Sequence, residues 1–173
     1  MLSVMIETHN DEEGLARTLV SLVGAAVQGI VRDVVVCDAG STDGTRHVAD
    51  HAGCTLAGKG LAAGLAAARG EWLLFLEPGA RLTDGWTEEV TSHMANHTTP
   101  ARFSPAGARL PAFLSGRISR RGLHRGLLIS RSQVAAFVGS AANAEELARR
   151  VSKRTLRAEI WPASANKAQS GGR

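Results

Sequence analysis

The chain has 173 residues, 44% of them apolar, and a formal net charge of +4, which suits one domain with a real core and leaves little room for two. No apolar run is longer than Trp72-Leu73-Leu74-Phe75-Leu76, which falls far short of the ~20 residues of a membrane span, so no transmembrane segment is expected. The charge is unevenly divided, with 13 Asp/Glu against 6 Lys/Arg from Met1 to Val90 and 3 against 14 from Thr91 to Arg173. The acidic first half, without a helix-turn-helix or RNA-binding aromatic motif, argues against a nucleic-acid partner. The basic second half suits a phosphate-bearing ligand or an anionic lipid surface.

Leu2–Ile6 reads as a short buried strand, broken at His9-Asn10-Asp11, where Asn10 or Asp11 can cap the next helix. That helix is expected to bury Leu15, Leu19, Leu22, Val23 and Val27 on one face. A second buried strand, Val34–Cys37, runs into Asp38-Ala39-Gly40-Ser41-Thr42-Asp43-Gly44-Thr45, and a helix follows to about Ala52. Cys54-Thr55-Leu56 is a weak strand, Gly58-Lys59-Gly60 opens an alanine-rich helix over Leu61–Arg69, and Trp72–Leu76 is a strand ended by Glu77-Pro78-Gly79. Thr83 or Asp84 is expected to cap a helix reaching about His97. The alternation implies right-handed crossovers and a mainly parallel sheet, which binds ligands beyond the carboxyl ends of its strands, where Asp38, Asp43, Lys59 and Glu77 fall.

The second half is less regular. A long loop is expected over Pro100–Arg121, a strand at Gly126–Ile129, helices at Gln133–Val138 and Glu145–Arg154, and a strand at Arg157–Trp161. Ala163–Arg173 has the composition of a disordered polar tail. Cys37 and Cys54 form no CxxC pair and read as reduced core thiols. His47/His51 and His93/His97 are spaced i, i+4 but lack a third ligand, and read as solvated helix faces. Met1 leads almost directly into the first strand, so a cytoplasmic protein without a signal peptide is expected, with peripheral contact at the inner membrane face allowed by the basic half.

Three segments in order resemble family 2 glycosyltransferases. They are Ser3-Val4-Met5-Ile6-Glu7-Thr8-His9-Asn10-Asp11-Glu12, Val34-Val35-Val36-Cys37-Asp38-Ala39-Gly40-Ser41-Thr42-Asp43-Gly44-Thr45, and Ala66-Ala67-Ala68-Arg69-Gly70-Glu71 with the strand behind it. The family's first strand ends in a Pro-Thr-(Tyr/His)-Asn-Glu type turn and its second in Asp-x-Gly-Ser-x-Asp-Gly-Thr. The likeness covers Leu2–Trp86 well and Gly126–Arg150 more thinly. It implies one α/β domain of the GT-A (Rossmann-like) fold over residues 1–162. Residues 1–90 would form the nucleotide-binding half and 91–162 the basic acceptor half.

What the resemblance implies for the site can be weighed residue by residue. Thr8 and Asn10 would lie beside base and ribose, and Asp38 would accept a base-edge N–H, the alternative being a turn carboxylate. Asp43 would support the loop or cap its helix. Lys59 would meet the diphosphate, or else lie in a solvated turn. Where the family has Asp-x-Asp for a divalent metal, this chain has Glu77-Pro78-Gly79, which leaves one carboxylate for a weak Mg²⁺ or Mn²⁺ site. The family's base lies in Glu-Asp-x-x-Leu. Registered on Leu147, those acids become Asn143 and Ala144, and a shifted register makes Glu145 or Glu146 the candidate base, against simple first-turn acids.

Arg102, Arg109, Arg117, Arg120, Arg121, Arg125 and Arg131 gather in or beside the irregular segment, as solvated surface or as a phosphate-binding acceptor region. The implied function is inverting transfer of a sugar from a nucleoside-diphosphate donor to an acceptor hydroxyl, on a phosphate-bearing or lipid-linked molecule. The alternative is a non-catalytic relative that binds nucleotide or a protein partner, because two acidic signatures are altered together.

Overall fold

The computed structural model describes residues 1–107 and 122–163. The first half alternates as expected: β1 (Leu2–Thr8), α1 (Glu12–Val20), α2 (Val23–Val27), β2 (Val31–Asp38), α3 (Thr45–His51), β3 (Thr55–Ala57), α4 (Leu61–Ala67), β4 (Trp72–Leu76). Then follow β5 (Arg81–Leu82), α5 (Trp86–Asn96), β6 (Ala101–Pro105), β7 (Leu127–Ser130), α6 (Arg131–Ala135), α7 (Ala144–Arg150) and β8 (Arg154–Trp161). All eight strands form one sheet in the order β3-β2-β1-β4-β7-β6-β8-β5. The pairs β1–β2, β1–β4, β2–β3 and β6–β8 are parallel, while β4–β7, β5–β8 and β6–β7 are antiparallel, so the sheet is more mixed than the alternation implied.

Strand β1 reads as a continuous apolar run because both of its faces are covered. Val4 and Ile6 join Leu74, Leu76, Leu15 of α1 and Val90 of α5 in one apolar layer. Met5 joins Val35, Cys37, Phe75, Leu61 of α4 and Leu147 of α7 in the other. Ser3 is fully buried, and its hydroxyl accepts hydrogen bonds from the Gly70 and Arg69 N–H groups at 2.7 and 3.2 Å. This anchors the turn before β4 against β1.

Four expectations are corrected. The helix expected through Val27 breaks after Val20, where the Ser21 hydroxyl donates to the Thr18 carbonyl at 2.7 Å. Val23 and Val27 are exposed as a result, and Leu15, Leu22 and Ala25 carry the burial. The N-cap of α5 is Gly85 in the left-handed region at φ 80°, in place of Thr83 or Asp84. The region expected as a loop from Pro100 contains β6, whose Ala101 and Phe103 are fully buried. Two apolar residues between prolines give too short an alternation to be read in advance. His93, expected on a solvated face, is buried: its Nε2 lies 2.8 Å from the Thr99 carbonyl and its ring meets Trp72 edge-on. The expected remainder of the loop and the tail after Ala163 lie outside the described residues, as do Arg109, Arg117, Arg120 and Arg121.

The close approach at Gly70 generates a test. A Cβ there would stand 2.6 Å from the Ser3 nitrogen and 2.8 Å from the Met1 carbonyl oxygen, both rigid backbone atoms. Gly70→Ala is expected to destabilise the fold by about 1–3 kcal/mol, read as a lower urea midpoint at unchanged slope. An unchanged midpoint would contradict the packing described.

Candidate active site

Parallel pairing brings the ends of β1, β2 and β4 to one edge. Thr8 of β1 lies in register with Asp38 of β2, and Ile6 with Leu76 of β4. The two loops leaving β1 and β2 are then joined by side chain to backbone bonds. The Asn10 N–H donates to Ser41 Oγ at 2.9 Å, and the Thr42 N–H returns a bond to Asn10 Oδ1 at 2.8 Å. The Asp11 N–H donates to Thr45 Oγ1 at 3.1 Å. The Glu12 N–H donates to Asp43 Oδ2 at 3.3 Å. Asn10 holds φ 49°, the one positive φ outside glycine among the described residues, and this aims its amide across the gap.

Behind this double loop lies a cavity of about 470 Å³. Glu7 and Thr8 of β1, Cys37 of β2, Lys59 of the β3–α4 turn, and Pro78 after β4 line it. Ala142 and Asn143, at the start of α7, close it from the second half of the chain. Three buried side-chain oxygens lack a hydrogen-bond partner among the described residues, and two of them, Glu7 Oε1 and Thr8 Oγ1, belong to adjacent residues of this wall. Buried polar atoms are nearly always paired in folded proteins, so these two, on successive strand residues whose side chains leave opposite faces of the sheet, are exceptions among the described residues.

The sequence-derived candidates divide into groups. Thr8 and Lys59 line the cavity. Asn10 and Asp43 hold the loops: Asp43 also accepts the Thr45 N–H at 3.0 Å in the first turn of α3, and this hydrogen bonding keeps its carboxyl below the usual range. Asp38 is 6% exposed and turns back on its own loop. Both of its oxygens accept the Ser41 N–H at 3.1 Å, and the Ser41 hydroxyl donates to Oδ1 at 2.5 Å. Glu77 follows β4 directly, at the expected place.

The two candidate bases are drawn elsewhere. Glu145 receives the Gly122 and Leu123 N–H groups at 2.7 and 2.9 Å, one on each oxygen, and pairs with Arg149. Glu146 accepts the Ala142 N–H at 2.8 Å and pairs with Arg150; that backbone bond, with the arginine, holds its carboxyl below the usual range. Both carboxylates thus accept backbone N–H groups, Glu145 from the distant Gly122–Leu123 segment and Glu146 from the residue before the α7 N-cap.

Sequence reasoning passed over Glu7. Its signal was the departure itself: a charged residue in an apolar strand, where the family turn begins with proline. Its Oε2 accepts the Ala144 N–H at 3.1 Å. Burial pushes its pKa up, against smaller downward pulls from that bond and from the Lys59 charge. Cys37 beside it is pushed up to about 12 by burial and by the Glu7 charge, so it stays a protonated thiol.

A divalent ion would find few ligands here. Among the described residues no group of three or more His, Cys, Asp or Glu side chains is arranged to hold a metal, and Glu77-Pro78-Gly79 supplies one carboxylate where the resemblance implied two. Nor is any helix long and apolar enough to cross a membrane among the described residues. In the second half, Arg131 is a structural residue, donating to the carbonyls of Gly70 at 3.0 Å, Leu65 at 2.9 Å, and Ala68. Arg125 donates to the Phe103 carbonyl at 2.7 Å.

The sequence profile of Glycosyl transferase family 2 matches residues 3–103. Glucosyl-3-phosphoglycerate synthase from Mycobacterium tuberculosis, solved with Mn²⁺, UDP and glucosyl-3-phosphoglycerate, is similar in structure. The TM-score is 0.59 at 17% identity, covering 99% of this chain and 76% of that one. The same enzyme with Mg²⁺ and UDP gives a TM-score of 0.57 at 17% identity over 94% of this chain and 71% of that one. S. aureus TarS 1-349 gives 0.65 at 17% identity over 98% of this chain, which spans 62% of that structure. No curated protein matches in sequence.

The buried Glu7 carboxyl carries a testable cost. Its folded pKa lies above the ordinary 4.5, so the folded chain disfavours the ionised form. The penalty is absent below the unfolded pKa and grows as pH rises through the folded value. Glu7→Gln keeps an acceptor for the Ala144 N–H and removes the charge. Its melting temperature is expected to exceed that of the wild type at pH 7, with the gap closing as pH falls towards 4.5, by scanning calorimetry. A variant less stable than wild type at pH 7 would refute the charge argument.

Proposed function

The chain belongs to glycosyl transferase family 2, and from that membership we propose that it transfers a sugar, with inversion, from a nucleoside-diphosphate donor bound in the Glu7–Lys59 cavity to an acceptor hydroxyl. The observation that carries this reading is the cavity at the ends of β1, β2 and β4, whose lining brings together Glu7, Thr8, Asp11 and Lys59. The polar lining suits the N–H and O–H donors of a nucleoside, and Lys59 suits its diphosphate. Asp38 keeps lone pairs beyond those engaged by Ser41, so it remains a candidate for a base-edge N–H. UDP in the glucosyl-3-phosphoglycerate synthase structures supports a uridine donor as the first to try.

The chemistry asked of the chain's own residues is modest. A carboxylate with a free oxygen removes the acceptor proton, and a cation steadies the charge that gathers on the leaving diphosphate. The residues described do not make a metal centre, and no step is assigned to an ion; Lys59 meets the diphosphate charge. At an effective dielectric of ~20, one cation at ~4 Å contributes about 4 kcal/mol before desolvation. Mn²⁺ and Mg²⁺ accompany UDP in structures of the mycobacterial synthase, and Glu77 would be the carboxylate to share such an ion with the diphosphate. The acceptor is phosphate-bearing or lipid-linked in this reading, supported by the basic second half and by the phosphoglyceric acid bound to the same synthase. A cytoplasmic site of action belongs to the same proposal.

Two measurements check it. Calorimetric titration with UDP and GDP should detect binding, and Lys59→Ala should weaken it by about 1–3 kcal/mol, the loss of one charge-assisted bond. No binding of either nucleotide would refute the donor assignment. In a sugar-transfer assay, EDTA should reduce turnover by less than about tenfold, since one carboxylate binds an ion weakly. Abolition by EDTA and full rescue by Mn²⁺ would show that the ion, and not Lys59, carries the diphosphate charge.

A further inference from the structure

Resting for its role on the transfer reading above, we propose that Arg102, Arg125 and Lys153 form an anion site separate from the Lys59 cavity, which holds the phosphate of a water-soluble phosphate-monoester acceptor. The three cations come together from three places in the chain. Arg102 lies on β6, Arg125 in the turn before β7, and Lys153 between α7 and β8. Arg102 is in register with Thr155 of β8, two residues beyond Lys153, and its Nε donates to Thr155 Oγ1 at 3.3 Å. Arg125 Nε donates to the carbonyl of Phe103, the residue after Arg102, at 2.7 Å. Lys153 Nζ donates to the carbonyls of Ala148 and Val151 at the end of α7.

These cations lack acids to balance them. Burial first, and the Arg102 charge second, push the pKa of both Arg125 and Lys153 down. Glu145 is the carboxylate whose charge opposes this at Lys153, and its oxygens are taken by the Gly122 and Leu123 N–H groups and by Arg149. All 16 Asp and Glu side chains lie among the described residues, because positions 108–121 and 164–173 contain none. The sequence therefore holds no further acidic side chain that could neutralise the cluster. Half-buried like charges cost free energy until an anion offsets them.

The bonds already made leave over the groups that a phosphate needs. Each arginine uses Nε on the fold, which fixes its plane, and its two terminal nitrogens make no hydrogen bond among the described residues. A guanidinium presents those nitrogens as a fork that matches two phosphate oxygens. Lys153 keeps one of its three N–H groups for another oxygen. All three side chains are half-buried, so an anion reaches them from solvent and is screened less than on an open surface. A phosphate monoester, close to doubly charged at neutral pH, answers three cations better than a single carboxylate does.

Placement ties the cluster to the transfer site. Leu127 of β7 pairs with Phe75, so Arg125, two residues earlier, lies beyond the carboxyl end of β4, on the edge that carries the cavity. Helix α7 starts at the cavity with Asn143 as its N-cap and ends beside Lys153, and its seven residues span about 10 Å. A sugar ring and a short carbon chain bridge a gap of that order, with the acceptor hydroxyl at the donor and the phosphate on the cluster. Among the described residues, none of the large exposed apolar side chains belongs to β6, the turn before β7 or the α7–β8 junction. No apolar anchor for a lipid layer stands beside these cations, which favours an acceptor free in water.

The site is tested by calorimetric titration of glycerol 3-phosphate into the full chain carrying Lys59→Ala, at about 0.15 M salt, so that the donor cavity contributes no cation. This chain should bind glycerol 3-phosphate and not glycerol. Adding Arg102→Gln or Arg125→Gln should raise Kd at least about tenfold, the loss of a charge-assisted contact. Adding Arg32→Gln, an exposed arginine on β2, should change it by less than about twofold, as expected of a distant site. Melting temperatures confirm that each variant is folded. With Lys59 restored and UDP saturating, glycerol 3-phosphate should still bind. With UDP-glucose, UDP-N-acetylglucosamine or GDP-mannose as donor, it should raise turnover above that with glycerol, and Arg102→Gln should abolish the rise. No binding by the Lys59→Ala chain overturns the inference. So does equal weakening by Arg32→Gln, which would reduce the effect to net charge, and so does exclusion by UDP, which would put the phosphate in the donor cavity. Co-sedimentation with phosphatidylcholine vesicles containing phosphatidic acid, without binding of glycerol 3-phosphate, overturns the water-soluble acceptor. A rise in turnover with none of the donors overturns the acceptor role. A chain that binds glycerol 3-phosphate through Arg102 but neither UDP nor GDP keeps the anion site and sinks the transfer reading. Binding of UDP without glycerol 3-phosphate does the reverse.

Discussion

The position of β1 is the constraint on which the rest of the structure depends. It is flanked on both sides by parallel partners and covered on both faces, so nearly every residue from Leu2 to Thr8 is buried. A strand held in this way ends at one point in space, and β2 and β4 end beside it. The loops must then turn outward together, and four hydrogen bonds between the Asn10–Glu12 and Ser41–Thr45 segments lock that turn. The cavity is the space left under those loops, where α7 arrives from the other half of the chain.

Placing a carboxylate at the end of such a strand works against stability. Its charge is partly removed from water, one oxygen has no partner among the described residues, and the neighbouring thiol is pushed to about 12 in part by its presence. A neutral or apolar residue there would satisfy the fold better. Groups held at such a disadvantage cluster where proteins carry out chemistry. Around it, the other acids follow the ordinary logic of folded carboxylates, each accepting backbone N–H groups that would otherwise go unpaired.

The basic second half has a structural use that charge counting does not convey. Arg131 spreads its guanidinium over three carbonyls of the α4–β4 connection, and Arg125 reaches the carbonyl of Phe103. Arg131 thereby ties the start of α6 to the first half of the chain, while Arg125 ties the turn before β7 to β6. Arginine suits this task because its planar fork satisfies several carbonyls at once.

The sequence by itself determined the order of elements, the family resemblance and the strand ends that share the candidate edge. Those rest on local signals: the apolar runs at Leu2–Ile6, Val34–Cys37 and Trp72–Leu76, and turn residues such as Asp38-Ala39-Gly40-Ser41. Only the tertiary structure decided what depends on contacts between distant residues. It divided the sheet between parallel and antiparallel pairs, and built β6 from a stretch whose two buried residues, Ala101 and Phe103, show no readable period. It turned Glu145 and Glu146 towards backbone because Gly122, Leu123 and Ala142 present N–H groups there, a fact that spacing along α7 cannot carry. It also brought Ala144 to Glu7 across 137 positions of sequence. That contact depends on how α7 packs over the β1–β4 sheet, and so on the summed burial of two apolar layers, which no local stretch of the chain encodes.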